Sequence, residues 1–189
     1  VVPRLERRAA AGLVISEADR SGITPTEVSL FKGSARAAAA AGVALSLRWG
    51  TDARAELAHV LEEGIAPDRV IVADLDRTDA AGVVLSIAEQ GVFVAIDHVG
   101  SSSPEYIDDA ARVVLVQQLI AAGHTDRILL SSNAIGFAAG LPATVTSFDA
   151  VLTSFVPALK SAGVSDSDIA RILADNPREV LSVRAAKGA

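Results

Sequence analysis

The sequence predicts a single α/β domain built on a parallel β-sheet, and three observations support this. First, a helix-like stretch, a glycine and a short apolar run follow one another five times along the chain, at Gly12, Gly42, Gly64, Gly91 and Gly123. Second, the apolar runs are continuous rather than alternating, which is typical of strands buried on both faces. Third, the stretches between them have helical length, and strands that alternate with helices form parallel sheets.

The composition fits a chain that buries a core and argues against several partner classes. Of the 189 residues, 50% are hydrophobic and 21% are charged, and the net charge is −6 with no basic cluster. We therefore expect no nucleic-acid partner and no membrane association. The chain has no cysteine, which excludes disulfides and thiolate metal sites and fits a reducing, cytoplasmic location.

The five strands are expected where the apolar runs lie, near residues 12–16, 43–48, 69–74, 92–97 and 127–131. Thr24 and Glu27 form a capping-box pattern around Pro25, which predicts a helix that runs to about Ala41. In the next helix, Leu57 and its apolar neighbours face the core and Glu56 is expected to face solvent. Further helices are expected near residues 79–90, 107–122, 148–161 and 166–175.

Two architectures fit this pattern, a doubly wound open sheet and part of a (β/α)₈ barrel. Neither a GxGxxG nor a Walker motif occurs, so nucleotide binding has no support. A closed eight-stranded barrel needs about 250 residues, so this chain alone is not expected to close one. The chain starts at Val1 and has no methionine. We expect either a missing N-terminal barrel half or a homo-oligomer to cover the sheet edges.

Candidate functional residues cluster after the strands, because parallel α/β folds place their sites at the carboxyl ends of strands. These ends carry Ser16, Glu17, Arg48, Asp74, Asp76, Arg77, Asp97, His98 and Asn133. Asp97 and His98 directly follow an unbroken apolar strand and are the candidate catalytic pair. The alternative interpretation is an ordinary polar rim that faces solvent. The sequence contains no HxH, HExxH or CxxC spacing of a self-contained zinc site.

Several segments together resemble the phosphotriesterase family of the amidohydrolase superfamily, from about Ala11 to Ser182. The segments are Pro67–Thr78, Gly91–His98, Arg127–Ser131, Ile169–Arg178 and Ile23–Gly42. The resemblance implies a (β/α)₈ TIM-barrel-type fold, represented here by about five C-terminal β-α units, strands four to eight. It also implies a two-metal site that activates water to hydrolyse phosphotriesters, lactones or related esters.

In that family the metal ligands are an HxH on strand one, a Lys or Glu on strand four, a His on each of strands five and six, and an Asp on strand eight. The resemblance places the strand-four position near Ser16, with Glu17 next to it. It places the strand-five, strand-six and strand-eight positions at Arg48, Asp74 and Asn133. Arginine cannot ligate a cation, and asparagine is a weaker ligand than aspartate.

The resemblance therefore implies a degenerate metal site, and we expect no hydrolysis by this chain as it stands. We also expect no cofactor, with Asp74 as the one remaining metal ligand if a metal binds. The alternative is an active metal-dependent hydrolase that uses zinc or another divalent metal in an altered or mononuclear site, completed by missing strands or a partner. A third interpretation is a metal-free enzyme that uses Asp97, His98 and Arg48. The expected ligand is a small-molecule ester or anion. We also expect Arg48 and Asp74 to form an ion pair across adjacent strands.

Overall fold

A computed structural model describes residues 11–80, 82–134 and 146–184. These residues form one parallel sheet of five strands in the order β1-β2-β3-β4-β5. The strands are β1 Leu13–Glu17, β2 Ala44–Arg48, β3 Val70–Ala73, β4 Phe93–Ile96 and β5 Ile128–Leu130. The strand positions predicted from the apolar runs are confirmed, and each strand pairs with the next one along the chain. A doubly wound order is therefore excluded for the described sheet.

The helices follow the strands as the pattern predicts. They are α1 Pro25–Ala41, α2 Ala53–Leu61, α3 Val84–Ala88, α4 Asp109–Ala121, α5 Val156–Ser161, α6 Asp166–Ala170 and α7 Asn176–Leu181. The capping box at Thr24 and Glu27 is present, and α1 ends where Gly42 takes a left-handed conformation with φ 69°. Short 3₁₀ turns precede β3, β5 and α3, at Pro67–Arg69, Thr125–Arg127 and Thr78–Ala80.

Helix α3 is much shorter than the expected helix over residues 79–90. Gly82 has φ 83°, a left-handed conformation that an α-helix cannot contain, so the regular helix begins only at Val84. Residues Thr78–Ala80 form a separate 3₁₀ turn before it. The stretch expected to be one helix is thus two short pieces.

The last two helical stretches each contain a π-helical turn directly before a proline-containing helix. Val151–Phe155 precedes α5 with Pro157, and Arg171–Asp175 precedes α7 with Pro177. Proline lacks an N–H and its ring clashes with the carbonyl four residues back, so a wider turn accommodates it without breaking the helix. The helix expected to end at residue 175 therefore continues to Leu181.

The main core lies between the sheet and the helices, and a smaller apolar cluster lies on the other face of the sheet. The smaller cluster contains Ala44, Ile71, Phe93, Ala95 and Val180. Glu56 was expected to face solvent, but it is fully buried, which corrects that prediction. Its carboxylate accepts hydrogen bonds from three consecutive loop N–H groups of residues 50–52. Across the described residues, no helix has the length and apolar character needed to cross a membrane.

Candidate functional site

The predicted ion pair between Arg48 and Asp74 is present at the carboxyl ends of β2 and β3. The Nε and Nη2 atoms of Arg48 donate to one oxygen, Oδ2 of Asp74, at 3.1 and 3.0 Å. The Asp74 side chain is only 7% exposed, whereas that of Arg48 is 38% exposed. The carboxylate is therefore buried beneath a guanidinium that still reaches the solvent.

The backbone at Asp74 is held in an uncommon conformation. Asp74 has φ 59°, which aspartate and asparagine tolerate better than most residues. Its N–H donates to Oδ2 of Asp97 at 2.8 Å, and its carbonyl accepts from Nε1 of Trp49 at 3.3 Å. These contacts from the two neighbouring strand ends fix the direction of the Asp74 carboxylate.

On β1, the side chain that lies beside Arg48 is Glu17 rather than Ser16. In the parallel register Glu17 pairs with Arg48, and Ser16 pairs with Leu47, a core residue on the opposite face. Side chains alternate between faces along a strand, so Ser16 points toward the helices. Its hydroxyl is buried and has no hydrogen-bond partner among the described residues. Glu17 Oε1 lies 3.5 Å from Nη1 of Arg48.

His98 is buried and is held by a chain of charged groups. Its Nδ1 lies 2.9 Å from Oδ1 of Asp76, and its backbone N–H donates to Oδ2 of the same carboxylate. Arg112, which is fully buried, donates from Nε to Asp76 and from Nη1 to Asp109. Burial alone would raise the pKa of Asp76, but the hydrogen bonds from His98 and Arg112 outweigh it and hold that pKa below its usual range.

In the tautomer that these contacts favour, Nδ1–H of His98 donates a hydrogen bond to the Asp76 carboxylate, and the lone pair lies on Nε2. That Nε2 atom faces the strand ends. It lies 3.0 Å from the side-chain amide nitrogen of Asn133 and 3.8 Å from Oδ1 of Asp74. The ring of Tyr106 stacks on the imidazole with the centroids 3.5 Å apart. The structure thus brings the side chains of His98, Asp74 and Asn133 together, and the Tyr106 ring covers the imidazole.

Asp97, the other candidate of the catalytic pair, is partly buried, whereas His98 is buried. Burial raises the pKa of its carboxyl group, and the hydrogen bond from the Asp74 backbone opposes that shift. Its Oδ1 accepts from the hydroxyl of Ser131 at 3.1 Å. Both oxygens are therefore used by neighbouring strand ends, and the contacts of Asp97 are those of a group that positions the strands.

The loop after β4 is tied to the rest of the rim by contacts on both sides. Arg20, in the loop after β1, donates a hydrogen bond from Nη1 to Oε2 of Glu105 at 3.3 Å. The backbones of Arg77 and Tyr106 form an isolated antiparallel bridge. Burial, followed by the charge of Asp74, raises the pKa of Tyr106. The Arg77 guanidinium lies 3.8 Å from the centre of the Trp49 ring. This loop holds Tyr106 over His98.

Sequence reasoning missed two of the residues that build this site. Arg112 sits in a helix without any motif, and only its spacing three residues after Asp109 offers a signal. Tyr106 is the one tyrosine of the chain, and it lies in a loop outside every predicted strand and helix. Asp76 was noted only as one of several polar strand ends, whereas the structure makes it the direct partner of His98.

Metal binding at the described strand ends depends on which donor groups lie together there. Within the described ranges, no group of three or more His, Cys, Asp or Glu side chains is arranged to hold a metal ion. The cluster formed by Glu17, Arg48 and Asp74 contains a guanidinium between two carboxylates, and that guanidinium can only donate. A second divalent cation at this point would face a fixed positive charge.

A parallel sheet in sequential order, with its polar groups gathered at the carboxyl ends of the strands, is an arrangement of the TIM-barrel type. The chain belongs to the phosphotriesterase family, whose sequence model matches residues 8–181. A solved structure of the phosphotriesterase homology protein from Escherichia coli, complexed with phosphate in its active site, superimposes with a TM-score of 0.81. The identity is 28%, and the match covers 91% of this chain and 60% of that one.

Curated relatives carry several activities in their names. The chain is 29% identical over 173 residues to the phosphotriesterase homology protein of Escherichia coli K12, covering 89% of this chain and 58% of the relative. It is 26% identical to an aryldialkylphosphatase of Saccharolobus solfataricus, over 91% of this chain and 58% of the relative. An N-acetyltaurine hydrolase of Dictyostelium discoideum is also 26% identical, over 85% and 47%. The chain thus spans about half the length of the curated relatives it matches.

Proposed function

We propose that this chain is a phosphotriesterase-family protein whose two-metal hydrolytic centre is degenerate, so that the chain as it stands does not hydrolyse esters. The observation that carries the proposal is the position of the Arg48 guanidinium, bonded to Asp74 and lying beside Glu17. We infer that the chain corresponds to strands four to eight of the family barrel. On that correspondence, Arg48 stands where the family has a metal-binding histidine.

Electrostatics supports the proposal. Two divalent cations at the strand ends would bring four positive charges close to a guanidinium that stays protonated at any physiological pH. In the present arrangement the positive charge of Arg48 already neutralises the buried carboxylate of Asp74. The strand ends satisfy their charges internally, as a structural or ligand-binding rim does.

The test is the metal content of the purified protein after dialysis, measured by elemental analysis, together with ester hydrolysis. We expect fewer than two equivalents of zinc or cobalt per chain and no metal-stimulated turnover of a phosphotriester or a lactone. Two retained equivalents would contradict the proposal. A matched gain-of-function variant, Arg48→His combined with Asp74→His and Asn133→Asp, should raise the metal content above that of the parent protein.

A second candidate is an active hydrolase with an altered or mononuclear site, completed by further strands or by a partner. The relatives named as hydrolases favour it, and so does the Asp76–His98 pair, which has the geometry of an oriented general base. In this candidate His98 takes a proton from water, and Arg48 binds an ester or anionic group. Hydrolysis by the purified protein that is lost in His98→Gln would favour this function over the first.

A further inference from the structure

We propose that the groove between α3 and α4 is a binding site for a neutral, apolar small molecule. The groove has a volume of about 400 Å³, within the range of about 300–1,000 Å³ that is typical of small-molecule sites. It opens between two helices rather than at the strand ends where the candidate site lies. The inference therefore goes beyond the proposed function.

The groove exists because α3 is short. Helix α3 has five residues, whereas α4, which lies on the other side of the groove, has thirteen. Gly82 has φ 83°, so the chain cannot be α-helical before Val84. The first turns of α4 therefore face a gap at the place where a longer α3 would pack against them.

The lining of the groove is almost entirely apolar. Ala111, Val114 and Leu115 line it from one face of α4, at the spacing of neighbours on a helix surface. Val84 and Leu85 line it from α3. Val114 is 50% exposed and Leu85 is 37% exposed, so apolar surface is left in contact with water. A ligand that covers these side chains removes that surface from water, which favours binding.

The charged residue of the described lining explains why the ligand should be neutral. Arg77 is buried, and its Nη1 donates to the backbone carbonyls of Trp49 and Gly50. Its Nη2 donates to the carboxylate of Asp79. An anionic ligand would lose its water and find this guanidinium already paired, which is costly. Gln118, which is exposed on α4, can form one hydrogen bond with a polar substituent.

The volume sets the size of the ligand. An apolar cavity of about 150 Å³ holds one benzene molecule. A groove of about 400 Å³ therefore accommodates about ten to fifteen non-hydrogen atoms. Eleven described residues line the groove, whereas a stable protein interface takes about twenty or more on each side. The dimensions therefore favour a small molecule over a second copy of the chain.

A ligand in the groove would also lie against the segments that build the candidate site. Leu75 and Arg77 line the groove and flank Asp76, which holds the imidazole of that site. Ile107 lines it as well, and its N–H donates to the backbone carbonyl of Asp76. The Arg77 guanidinium in turn covers the Trp49 ring. We therefore expect the Trp49 indole to sense whether the groove is occupied.

The test is an NMR titration of the intact protein with two probes of the same shape, the neutral naphthamide and the naphthoate anion. We expect naphthamide to shift the methyl signals of Val114 and Leu85 saturably, because an aromatic probe perturbs the nuclei that it contacts. The indole N–H signal of Trp49, the one tryptophan of the chain, should shift with the same midpoint. Naphthoate should bind at least about fivefold more weakly.

Two variants of α4 locate the binding. Ala111→Leu places a larger apolar side chain in the groove and should weaken the binding of naphthamide at least about tenfold. Ala110→Leu is the matched control, because it makes the same substitution one residue away, at a position that does not line the groove. Both positions are exposed on the helix, so both variants should fold.

Saturable binding that Ala111→Leu weakens and Ala110→Leu leaves unchanged supports the site. The absence of saturable binding, binding that survives in Ala111→Leu, or naphthoate that binds as tightly as naphthamide overturns it. Methyl shifts without an indole shift overturn the placement of the ligand against Arg77. Self-association of the parent protein that Ala111→Leu disrupts, measured by sedimentation, would assign the groove to a second copy instead. None of these results depends on metal content, so the proposed function is tested separately.

Discussion

Replacing Arg48 with methionine tests whether the ion pair with Asp74 stabilises the fold. At about 3 Å and an effective dielectric constant of about 20, the gross attraction is about 5 kcal/mol. Breaking a fully buried pair costs about 3–5 kcal/mol. Because 38% of the Arg48 side chain is exposed, solvent screens part of the attraction between Arg48 and Asp74. We therefore expect Arg48→Met to lower the free energy of unfolding by about 1–3 kcal/mol.

A double-mutant cycle measured by urea unfolding isolates the pair. Asp74→Asn is the appropriate partner variant, because asparagine tolerates the positive φ at this position whereas alanine would add backbone strain. We expect the double variant to be less destabilised than the sum of the two single variants, with a coupling of about 1 kcal/mol or more.

The control is Lys160→Met, which breaks an ion pair with Asp166 of similar length, 2.7 Å, between side chains that are 53% and 83% exposed. Exposed pairs of this kind contribute little, so this variant should change stability by less than about 0.5 kcal/mol. If the effects of Arg48→Met and Asp74→Asn simply add, or if Arg48→Met behaves like the control, the reasoning about burial is wrong.

Three further variants test other parts of the structure. Asn176→Ala removes a buried side chain that donates to two backbone carbonyls near β5 and should cost about 2–4 kcal/mol in urea unfolding; a cost below about 0.5 kcal/mol would refute that role. Glu56→Ala leaves three loop N–H groups unpaired and should raise hydrogen exchange in residues 50–52 well before it affects β2; uniform exchange would contradict this. Hydrogen bonds from the Asp19 backbone and from Thr24 lower the pKa of Glu27. The Glu27 carboxylate therefore stabilises the fold above about pH 4.3, the pKa of an unfolded chain. This stabilisation is lost as the pH falls through the lowered pKa of the folded protein. Glu27→Gln should therefore flatten the acid side of the stability profile, and an unchanged profile would show that the carboxylate is not responsible.

The strands and their order could be predicted because each rests on a local signal. A continuous apolar run after a glycine marks a buried strand, and alternation with helices implies sequential parallel pairing. The pair of Arg48 and Asp74 followed from the same logic, since both residues end adjacent strands. The α1 boundaries followed from Thr24 and Gly42, whose side-chain and backbone chemistry act within one turn.

The parts that could not be predicted depend on contacts between distant segments. The sequence places Ser16 and Glu17 side by side at the end of β1, and it cannot show which of them lies on the face of Arg48, because a shift of one residue turns every side chain to the other face. Helical periodicity assigned Glu56 to the surface, since it cannot show that the preceding loop directs three N–H groups at it. Arg112 forms its ion pair with Asp76 only when α4 packs against the sheet. The residues next to Arg112 in the sequence give no signal of that ion pair.

The sequential order of the five strands has a consequence for how the chain acquires its structure. Among the described residues, each ladder of the sheet joins consecutive strands, so none of these pairings has to wait for a later segment beyond the next strand. Closing short loops costs less entropy than closing long ones, and proteins with local contacts fold faster. We expect each β-α unit to dock on the one synthesised before it while the ribosome is still extending the chain.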